Sequence, residues 1–182
     1  MDKIKVGIIG TGGISYCHIA GYKALDNVDL YAVCDINKER ASKCAEANGI
    51  KHVFTDYNEM LKLPELDAVS ICAVNCVHAP ATIAALKAGK HVLCEKPMAM
   101  NAAEAVEMEK AAKESGKILM IGFVRRFGND AKILKDFIDN GTMGEIYYAK
   151  ASYLRRNGCP GGWFSNKKLS EGGPLIDLGV HV

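Results

Sequence analysis

The sequence has few of the features that mark membrane, secreted or nucleic-acid-binding proteins. Its mean hydropathy is +0.00, and no apolar run approaches the roughly 20 residues that a membrane-spanning helix needs. It shows no basic leader followed by an apolar stretch, so we expect no secretory signal. The net charge is only +2, from 23 basic and 21 acidic residues, whereas a nucleic-acid-binding domain carries a basic surface. We therefore expect neither a membrane nor a nucleic acid as partner.

The sequence also lacks paired cysteines. It has 7 cysteines, an odd number, and no C-x-x-C pair. We therefore predict free thiols and a reducing, cytoplasmic compartment. Cys72, Cys76 and His78 lie close together, but their spacing matches no closed zinc pattern and a fourth ligand is absent. We predict no metal site.

Apolar runs alternate with helical patterns from the N-terminus onward. The composition, 49% hydrophobic and 24% charged, is that of a globular protein. Short apolar runs are predicted to be strands: Lys5–Ile9, Leu30–Cys34, His52–Phe54, Ala68–Val74, His91–Cys94 and Ile118–Phe123. Helix-forming segments separate these runs, and one of them, Ala79–Ala88, is predicted to be a helix that closes at Gly89. This alternation predicts an α/β fold of the Rossmann type, with a doubly wound parallel sheet.

The alternation loosens near residue 124, where we predict a domain boundary. Residues 1–124 would form the first domain, and residues 125–182 the beginning of a second, α+β domain. In the second part, Ala131–Asn140 is predicted to be a helix and Glu145–Tyr153 a strand. The final apolar run is followed by no polar tail, so we expect this second domain to be incomplete and its apolar faces to lack packing partners.

The turn after the first predicted strand carries a glycine pattern, Gly10-Thr11-Gly12-Gly13-Ile14-Ser15. In a dinucleotide-binding turn, the first glycine permits the tight turn and the second allows backbone to approach the pyrophosphate. A small third residue allows close packing. A glycine-rich turn without a ligand would look alike, but the position between a strand and a helix favours the dinucleotide. We predict that residues 10–14 contact this cofactor.

An acidic residue, Asp35, ends the second predicted strand, twenty residues after Ser15. In Rossmann domains an acid at this place binds the adenosine ribose hydroxyls, although Asp35 also suits the start of the next helix. Its carboxylate would repel a 2′-phosphate, which favours NAD. Lys38 and Arg40 lie close enough to accommodate that phosphate, so NADP remains an alternative. We predict Asp35 and Arg40 as cofactor contacts.

Polar residues follow two further predicted strands. One segment reads Ala73-Val74-Asn75-Cys76-Val77-His78, and the other reads Cys94-Glu95-Lys96-Pro97. Open α/β sheets bind ligands at the carboxyl ends of their strands. A turn, a helix cap or a solvated loop would also explain these residues.

At these motifs the sequence resembles the glucose–fructose oxidoreductase, inositol dehydrogenase and MocA-like family of NAD(P)-dependent oxidoreductases. The resemblance extends from Lys3 onward. It rests on the glycine turn, on Asn75-x-x-His78, on Glu95-Lys96-Pro97, and on the segments Gly122–Phe127 and Gly172–His181. It implies hydride transfer between a nicotinamide cofactor and a hydroxyl or carbonyl carbon of a sugar, a polyol or a derivative.

The resemblance also implies roles for individual residues. Lys96, Asp177 and His181 would be catalytic: Lys96 stabilises the developing alkoxide, Asp177 holds the substrate, and His181 is the acid/base. Asp177 and His181 are four residues apart, which places them on one face of a helix. Ala73, Asn75, His78 and Lys96 would lie near the cofactor, and Glu95 would either reach the cofactor or orient Lys96.

Substrate contacts are expected from Lys96, Arg126, Trp163, Asp177 and His181, with Arg155, Arg156 and Phe164 as further candidates. Members of this family continue well past the Asp-x-x-x-His motif, and we expect the full-length form to be a homo-oligomer. The alternative function is a non-catalytic dinucleotide-binding module, either a redox sensor or a product without a complete active site.

Overall fold

The structure, a computed structural model, describes residues 3–154, 156 and 158–181. Six parallel strands form one sheet in the order β3-β2-β1-β4-β5-β6. The strands are β1 Ile4–Ile9, β2 Val28–Cys34, β3 His52–Phe54, β4 Ala68–Ile71, β5 His91–Cys94 and β6 Leu119–Ile121. This strand order is that of the Rossmann fold, so the predicted fold class is confirmed. The boundary near residue 124 stays a prediction.

Five α-helices alternate with the six strands, and three more follow the last strand within the described residues. They are α1 Ser15–Lys23, α2 Lys38–Asn48, α3 Tyr57–Leu61, α4 Asn75–Lys87, α5 Ala102–Ser115, α6 Asn129–Asp139, α7 Lys167–Ser170 and α8 Pro174–Asp177. Local chemistry sets several ends. The Asn37 and Asn101 side chains cap α2 and α5 by accepting main-chain N–H bonds. Gly49 and Gly116 end the same two helices with φ of 70° and 64°.

The core lies on both faces of the sheet. Consecutive strand residues point to opposite faces: Ile8 packs with Ile19 of α1, whereas Ile9 packs with Leu86 of α4 and Met108 of α5. A parallel sheet covered on both faces needs apolar residues at successive positions. This requirement explains the near-continuous apolar runs of β1 and β4.

Helix α4 begins earlier than the sequence suggests. The predicted range was Ala79–Ala88, but the helix runs from Asn75 to Lys87 and includes Pro80. A proline inside a helix removes one main-chain hydrogen bond, and the surrounding packing tolerates it here. Asn75 and His78 are therefore buried helical residues, 4% and 1% exposed, rather than part of a turn.

The predicted strand Glu145–Tyr153 is wrong. These residues have no regular secondary structure, and Tyr147 and Leu154 are 95% and 92% exposed. A strand needs a neighbour to satisfy its main-chain groups, and no strand pairs with this segment in the part of the chain that the structure describes. The predicted α+β character of this second part is therefore seen only as helices within residues 125–154, 156 and 158–181.

The helix expected to carry Asp177 and His181 is shorter than predicted. Helix α8 ends at Asp177, and a 3₁₀ turn spans Gly179–His181. Gly179 disfavours continuation of the helix, and its lack of a side chain leaves room for the side chain of Leu175. A Cβ at Gly179 would lie 2.9 Å from Leu175 Cδ1. Asp177 and His181 therefore lie on two consecutive turns of different type, not on one face of a continuous helix.

The amphipathic helix α6 presents apolar side chains outward. Ile133, Leu134, Phe137 and Ile138 are all exposed. Six cysteines are free thiols, namely Cys17, Cys34, Cys44, Cys72, Cys76 and Cys94. The cytoplasmic location stays a prediction. Among the described residues, no helix is both long and apolar enough to cross a bilayer, and no three His, Cys, Asp or Glu side chains are grouped to hold a metal ion.

Gly10 lies in a tight turn at the carboxyl end of β1, close to the main chain that follows β4. Its φ is +88°, and a Cβ there would lie 2.7 Å from the Cys72 carbonyl oxygen. We expect Gly10→Ala to lower the free energy of unfolding by about 1–3 kcal/mol, the usual cost of such strain. Urea denaturation followed by circular dichroism measures this change.

The matched control is Gly21→Ala, in the interior of α1, where a Cβ meets nothing within 4 Å outside its own helix. It should raise the free energy of unfolding by about 0.5–1 kcal/mol. Equal stability of Gly10→Ala and the unmodified protein would contradict the close approach of β1 and β4.

Candidate active site

A cleft opens at the carboxyl ends of β1 and β4, where the strand order reverses. Helices α1 and α4 leave the sheet on opposite faces at this point, and such crevices are the usual ligand sites of open α/β sheets. The cleft has a volume of about 510 Å³. The predicted site residues that line it are Gly10, Gly12, Gly13, Ile14, Asp35, Arg40, Ala73, Asn75, Glu95, Lys96 and Trp163.

The glycine turn has the shape that a pyrophosphate requires. A Cβ at Gly12 or Gly13 would meet nothing within 4 Å, so the main chain there is open to a ligand. The Ser15 hydroxyl donates to the Gly12 carbonyl over 2.6 Å and shapes the turn. No side chain caps α1 and its first turn holds no acid, so the positive end of this helix is available to an anion. These residues fit a dinucleotide cofactor.

The Asp35 carboxylate, 5% exposed, is held by a dense set of donors. Oδ2 accepts from the main-chain N–H and hydroxyl of Thr11, at 2.9 and 3.0 Å. Oδ1 accepts from the Asn37 N–H at 2.9 Å. The Arg40 guanidinium binds both oxygens, with Nε 3.0 Å from Oδ2 and Nη2 2.7 Å from Oδ1. Thr11 therefore orients the acid from beneath the cleft instead of lining it, a role that the sequence does not reveal.

The same donors control the ionisation of Asp35. Burial alone would raise the pKa of its carboxyl. The hydrogen bonds from Arg40, Thr11 and Asn37 outweigh burial and lower the pKa from an ordinary value of 3.8 to about 2. Asp35 is therefore an anion at every physiological pH, and Arg40 neutralises much of its charge.

A lysine and an aspartate meet at the inner end of the cleft. Lys96 Nζ donates to Asp177 Oδ1 over 2.8 Å and to the Asp177 carbonyl over 2.9 Å. Both side chains are mostly buried. Glu95 Oε2 accepts the main-chain N–H of Lys96 over 3.1 Å, which favours the expectation that Glu95 orients Lys96. The structure thus brings together two of the three predicted catalytic residues, although they are 81 residues apart in sequence.

A second cavity, of about 300 Å³, adjoins the first. Asp177, Gly172 and Pro174 line it, and Asn75 and Phe164 line both cavities. Asn75 Nδ2 also donates to the Ser170 carbonyl over 3.0 Å, which fastens α7 to the start of α4. Lys96 and its partner Asp177 therefore stand between the two cavities.

His181 lies close to this ion pair. Partial burial lowers the pKa of its imidazole, and the positive charges of Lys96 and Arg125 lower it further. Its Nδ1 is buried and, among the described residues, has no hydrogen-bond partner. His181 lines neither cavity, so its predicted contact with substrate stays a prediction. The structure thus places a neutral imidazole with one free nitrogen in the electrostatic field of Lys96 and Asp177.

Some predicted contacts lie elsewhere. His78 does not line the cleft: its ring nitrogens face the carbonyls of Pro97, at 2.7 Å, and Ala73, at 3.1 Å. Arg126 is exposed and lines neither cavity, whereas its neighbour Arg125 affects His181. These two expectations therefore have no support from the geometry.

The aromatic pair Trp163 and Phe164 stacks with ring centroids 3.9 Å apart. Trp163 lines the first cavity and not the second, so its predicted contact with substrate stays a prediction. Arg156 is exposed, and Arg155 lies outside the described residues.

Comparison with known families now bears on this geometry. Residues 4–123 match the model of the oxidoreductase family with an NAD-binding Rossmann fold, GFO/IDH/MocA. The chain belongs to this family. Residues 132–182 match the GFO/IDH/MocA C-terminal domain. The predicted family and the NAD-type cofactor are thereby confirmed.

Curated relatives include D-glucoside 3-dehydrogenase of Escherichia coli, 42% identical over 100% of this chain and 52% of the relative. Myo-inositol 2-dehydrogenase of Thermotoga maritima is 37% identical over 98% of this chain and 52% of the relative. A solved structure, levoglucosan dehydrogenase with NADH and L-sorbose, superposes with a TM-score of 0.87 at 27% identity, over 100% of this chain and 52% of that one. The chain spans about half the length of the curated relatives it matches.

The pH dependence of stability tests the environment of Asp35. Because its pKa in the folded state, about 2, is below the ordinary 3.8, the ionised carboxylate stabilises the fold. This stabilisation is complete above about pH 5 and is lost as pH falls through about 4 to 2, by roughly 2 kcal/mol. Urea titrations at pH 2–6 should show this loss in the unmodified protein and not in Asp35→Asn. Parallel profiles for the two proteins would contradict the assignment.

Proposed function

We propose that this chain carries the cofactor site and the proton-handling residues of an NAD-dependent dehydrogenase that acts on a hydroxyl group of a sugar, a polyol or a derivative. The observation that carries the proposal is the position of Lys96. Its ammonium group lies between the two cavities and is held by Asp177. The relatives named above, a glucoside dehydrogenase and an inositol dehydrogenase, support the substrate class.

The first cavity would hold the dinucleotide. The glycine turn and the N-terminus of α1 would bind the pyrophosphate, and Asp35 would accept hydrogen bonds from the adenosine ribose. Bound NAD supplies the hydride acceptor. Trp163 and Phe164 would cover the cleft and exclude water from it.

The second cavity would hold the substrate, with its reacting hydroxyl next to Lys96. His181 would turn toward the second cavity to accept the hydroxyl proton, and its lowered pKa keeps the imidazole neutral and able to accept. Lys96 would stabilise negative charge on the substrate oxygen as a fixed cation. Asp177 would hold Lys96 in place and bind a second substrate hydroxyl.

We also propose that the complete protein is a homo-oligomer. The exposed apolar face of α6, formed by Ile133, Leu134, Phe137 and Ile138, supports this proposal because contiguous exposed apolar surface usually marks an interaction site.

Cofactor preference is the first test. We expect NAD to bind more tightly than NADP, because Asp35 repels a 2′-phosphate. Asp35→Ala should narrow the difference between the two affinities, and Arg40→Ala should widen it, since the Arg40 guanidinium lies against the Asp35 carboxylate. Isothermal titration calorimetry with both cofactors measures the affinities. Equal or tighter binding of NADP by the unmodified protein would overturn the expected preference.

The catalytic roles are tested by turnover. Lys96→Ala and His181→Ala should each lower kcat by roughly 10²–10⁴-fold, the usual contribution of a positioned proton-transfer group. NAD affinity should change little in His181→Ala. Lys110→Ala, an exposed residue of α5, is the control and should keep full activity. Assays use NAD with a panel of polyols and glycosides.

Near-normal kcat in His181→Ala would exclude the acid/base role of this residue. NAD binding without turnover on any member of the panel would favour the alternative, a non-catalytic dinucleotide-binding module.

A further inference from the structure

Beneath the cleft, His18 of α1 forms a hydrogen-bonded group with residues of two strand ends. Its Nε2 lies 2.8 Å from Glu95 Oε1, and its Nδ1 lies 3.2 Å from the Ser70 hydroxyl. The Ser70 hydroxyl is in turn 2.6 Å from the Tyr22 hydroxyl. Neither His18 nor Tyr22 lines either cavity, so both lie outside the site described above.

The Glu95 carboxylate fixes the direction of its hydrogen bond with His18. Burial would raise the pKa of this carboxyl, but the hydrogen bond from His18 and the neighbouring Lys96 outweigh it, so the pKa is lowered. An ionised carboxylate only accepts hydrogen bonds, and therefore His18 donates from Nε2. The other ring nitrogen faces hydroxyl groups, which can donate or accept. In the neutral ring, Ser70 donates to Nδ1 and accepts from Tyr22, whose own pKa is raised by burial.

The Glu95 carboxylate links His18 to Lys96. One carboxylate oxygen accepts from His18 and the other accepts the Lys96 main-chain N–H. Space around the carboxylate is small, because a Cβ at Gly122 would lie 3.3 Å from Glu95 Oε1. Both carboxylate oxygens are engaged, and the Gly122 main chain lies close to one side of the group. The carboxylate is therefore held in one orientation. The main chain from which the Lys96 side chain extends is fixed with it.

We propose that His18 is a positioning residue for Lys96, acting through the Glu95 carboxylate, with Ser70 and Tyr22 holding its ring. The proposal rests on the proposed function, in which the Lys96 ammonium stabilises charge on the substrate. A displacement of about 1 Å at a catalytic group can lower the rate roughly 100-fold. Loss of the contact from His18 should therefore slow the chemical step, although His18 touches no substrate.

The experiment compares His18→Leu, His18→Gln and Ser70→Ala with the unmodified protein. His18→Leu removes the donor to Glu95 and should lower kcat by about 10–100-fold, with KM for NAD changed by less than about threefold. His18→Gln keeps an amide donor and should recover most of kcat. Circular dichroism and NAD affinity identify any variant that does not fold.

A second readout does not depend on turnover. Long-range ¹H–¹⁵N NMR of the imidazole reports which ring nitrogen carries a proton, and the ¹³Cε shift of Lys96 reports the environment of its ammonium group. We expect a protonated Nε2 in the unmodified protein. We also expect a displaced Lys96 signal in His18→Leu, and its return toward the unmodified position in His18→Gln. Ser70→Ala should loosen the ring and broaden the His18 signals.

An unprotonated Nε2 would overturn the proposal. So would a folded His18→Leu variant in which kcat and the Lys96 signal are both unchanged. If the unmodified protein turns over no polyol, the proposed function fails. The two NMR readouts then still decide whether His18 positions Lys96, because neither requires a substrate.

Discussion

The site depends on how closely β1 and β4 end beside each other. The sheet reverses its order between these strands, so α1 and α4 diverge and leave the cleft open between them. The approach is so close that only glycine fits at position 10, since any Cβ would overlap the main chain at Cys72. A cleft formed by main chain in this way has rigid walls before any ligand binds. The side chains of Asp35, Asn75 and Lys96 need little reorganisation, because each follows a strand end of the same sheet.

Buried charges in this site are all held by partners. Asp35 is paired with Arg40, Lys96 is paired with Asp177, and the Glu95 carboxylate accepts a hydrogen bond from His18. Pairing of this kind adds little net stability, because removing both charges from water costs about as much as their attraction returns. Its effect is on geometry: each pair fixes a charged group at a given position along the cleft.

The sequence predicts the sheet well because its signals are local. The apolar runs at His52–Phe54 and His91–Cys94 are strands with those bounds, and Ala102–Ser115 is a helix between Asn101, its cap, and Gly116. Features that depend on a distant neighbour were not predictable. Glu145–Tyr153 alternates like a strand, but pairing decides whether a strand forms.

The residues of the site also divide into those that a local motif predicts and those that depend on contacts across the fold. Motif residues such as Gly12 and Asp35 follow strand ends and could be placed on the cleft from the sequence. Contacts across the fold could not: nothing in the order of residues indicates that Thr11 binds Asp35 or that His18 reaches Glu95. The roles of adjacent residues are still harder to predict. Arg125 and Arg126 have the same chemistry, and their places on the 3₁₀ turn determine that Arg125 lowers the pKa of His181.

Asn75 and Phe164 belong to the walls of both cavities. A ligand that immobilises these side chains in one cavity therefore also orders part of the other, and the second ligand then loses less conformational entropy on binding. Such coupling is reciprocal by thermodynamic necessity. In the proposed dehydrogenase, this shared wall would couple the binding of cofactor and substrate without any movement of the sheet.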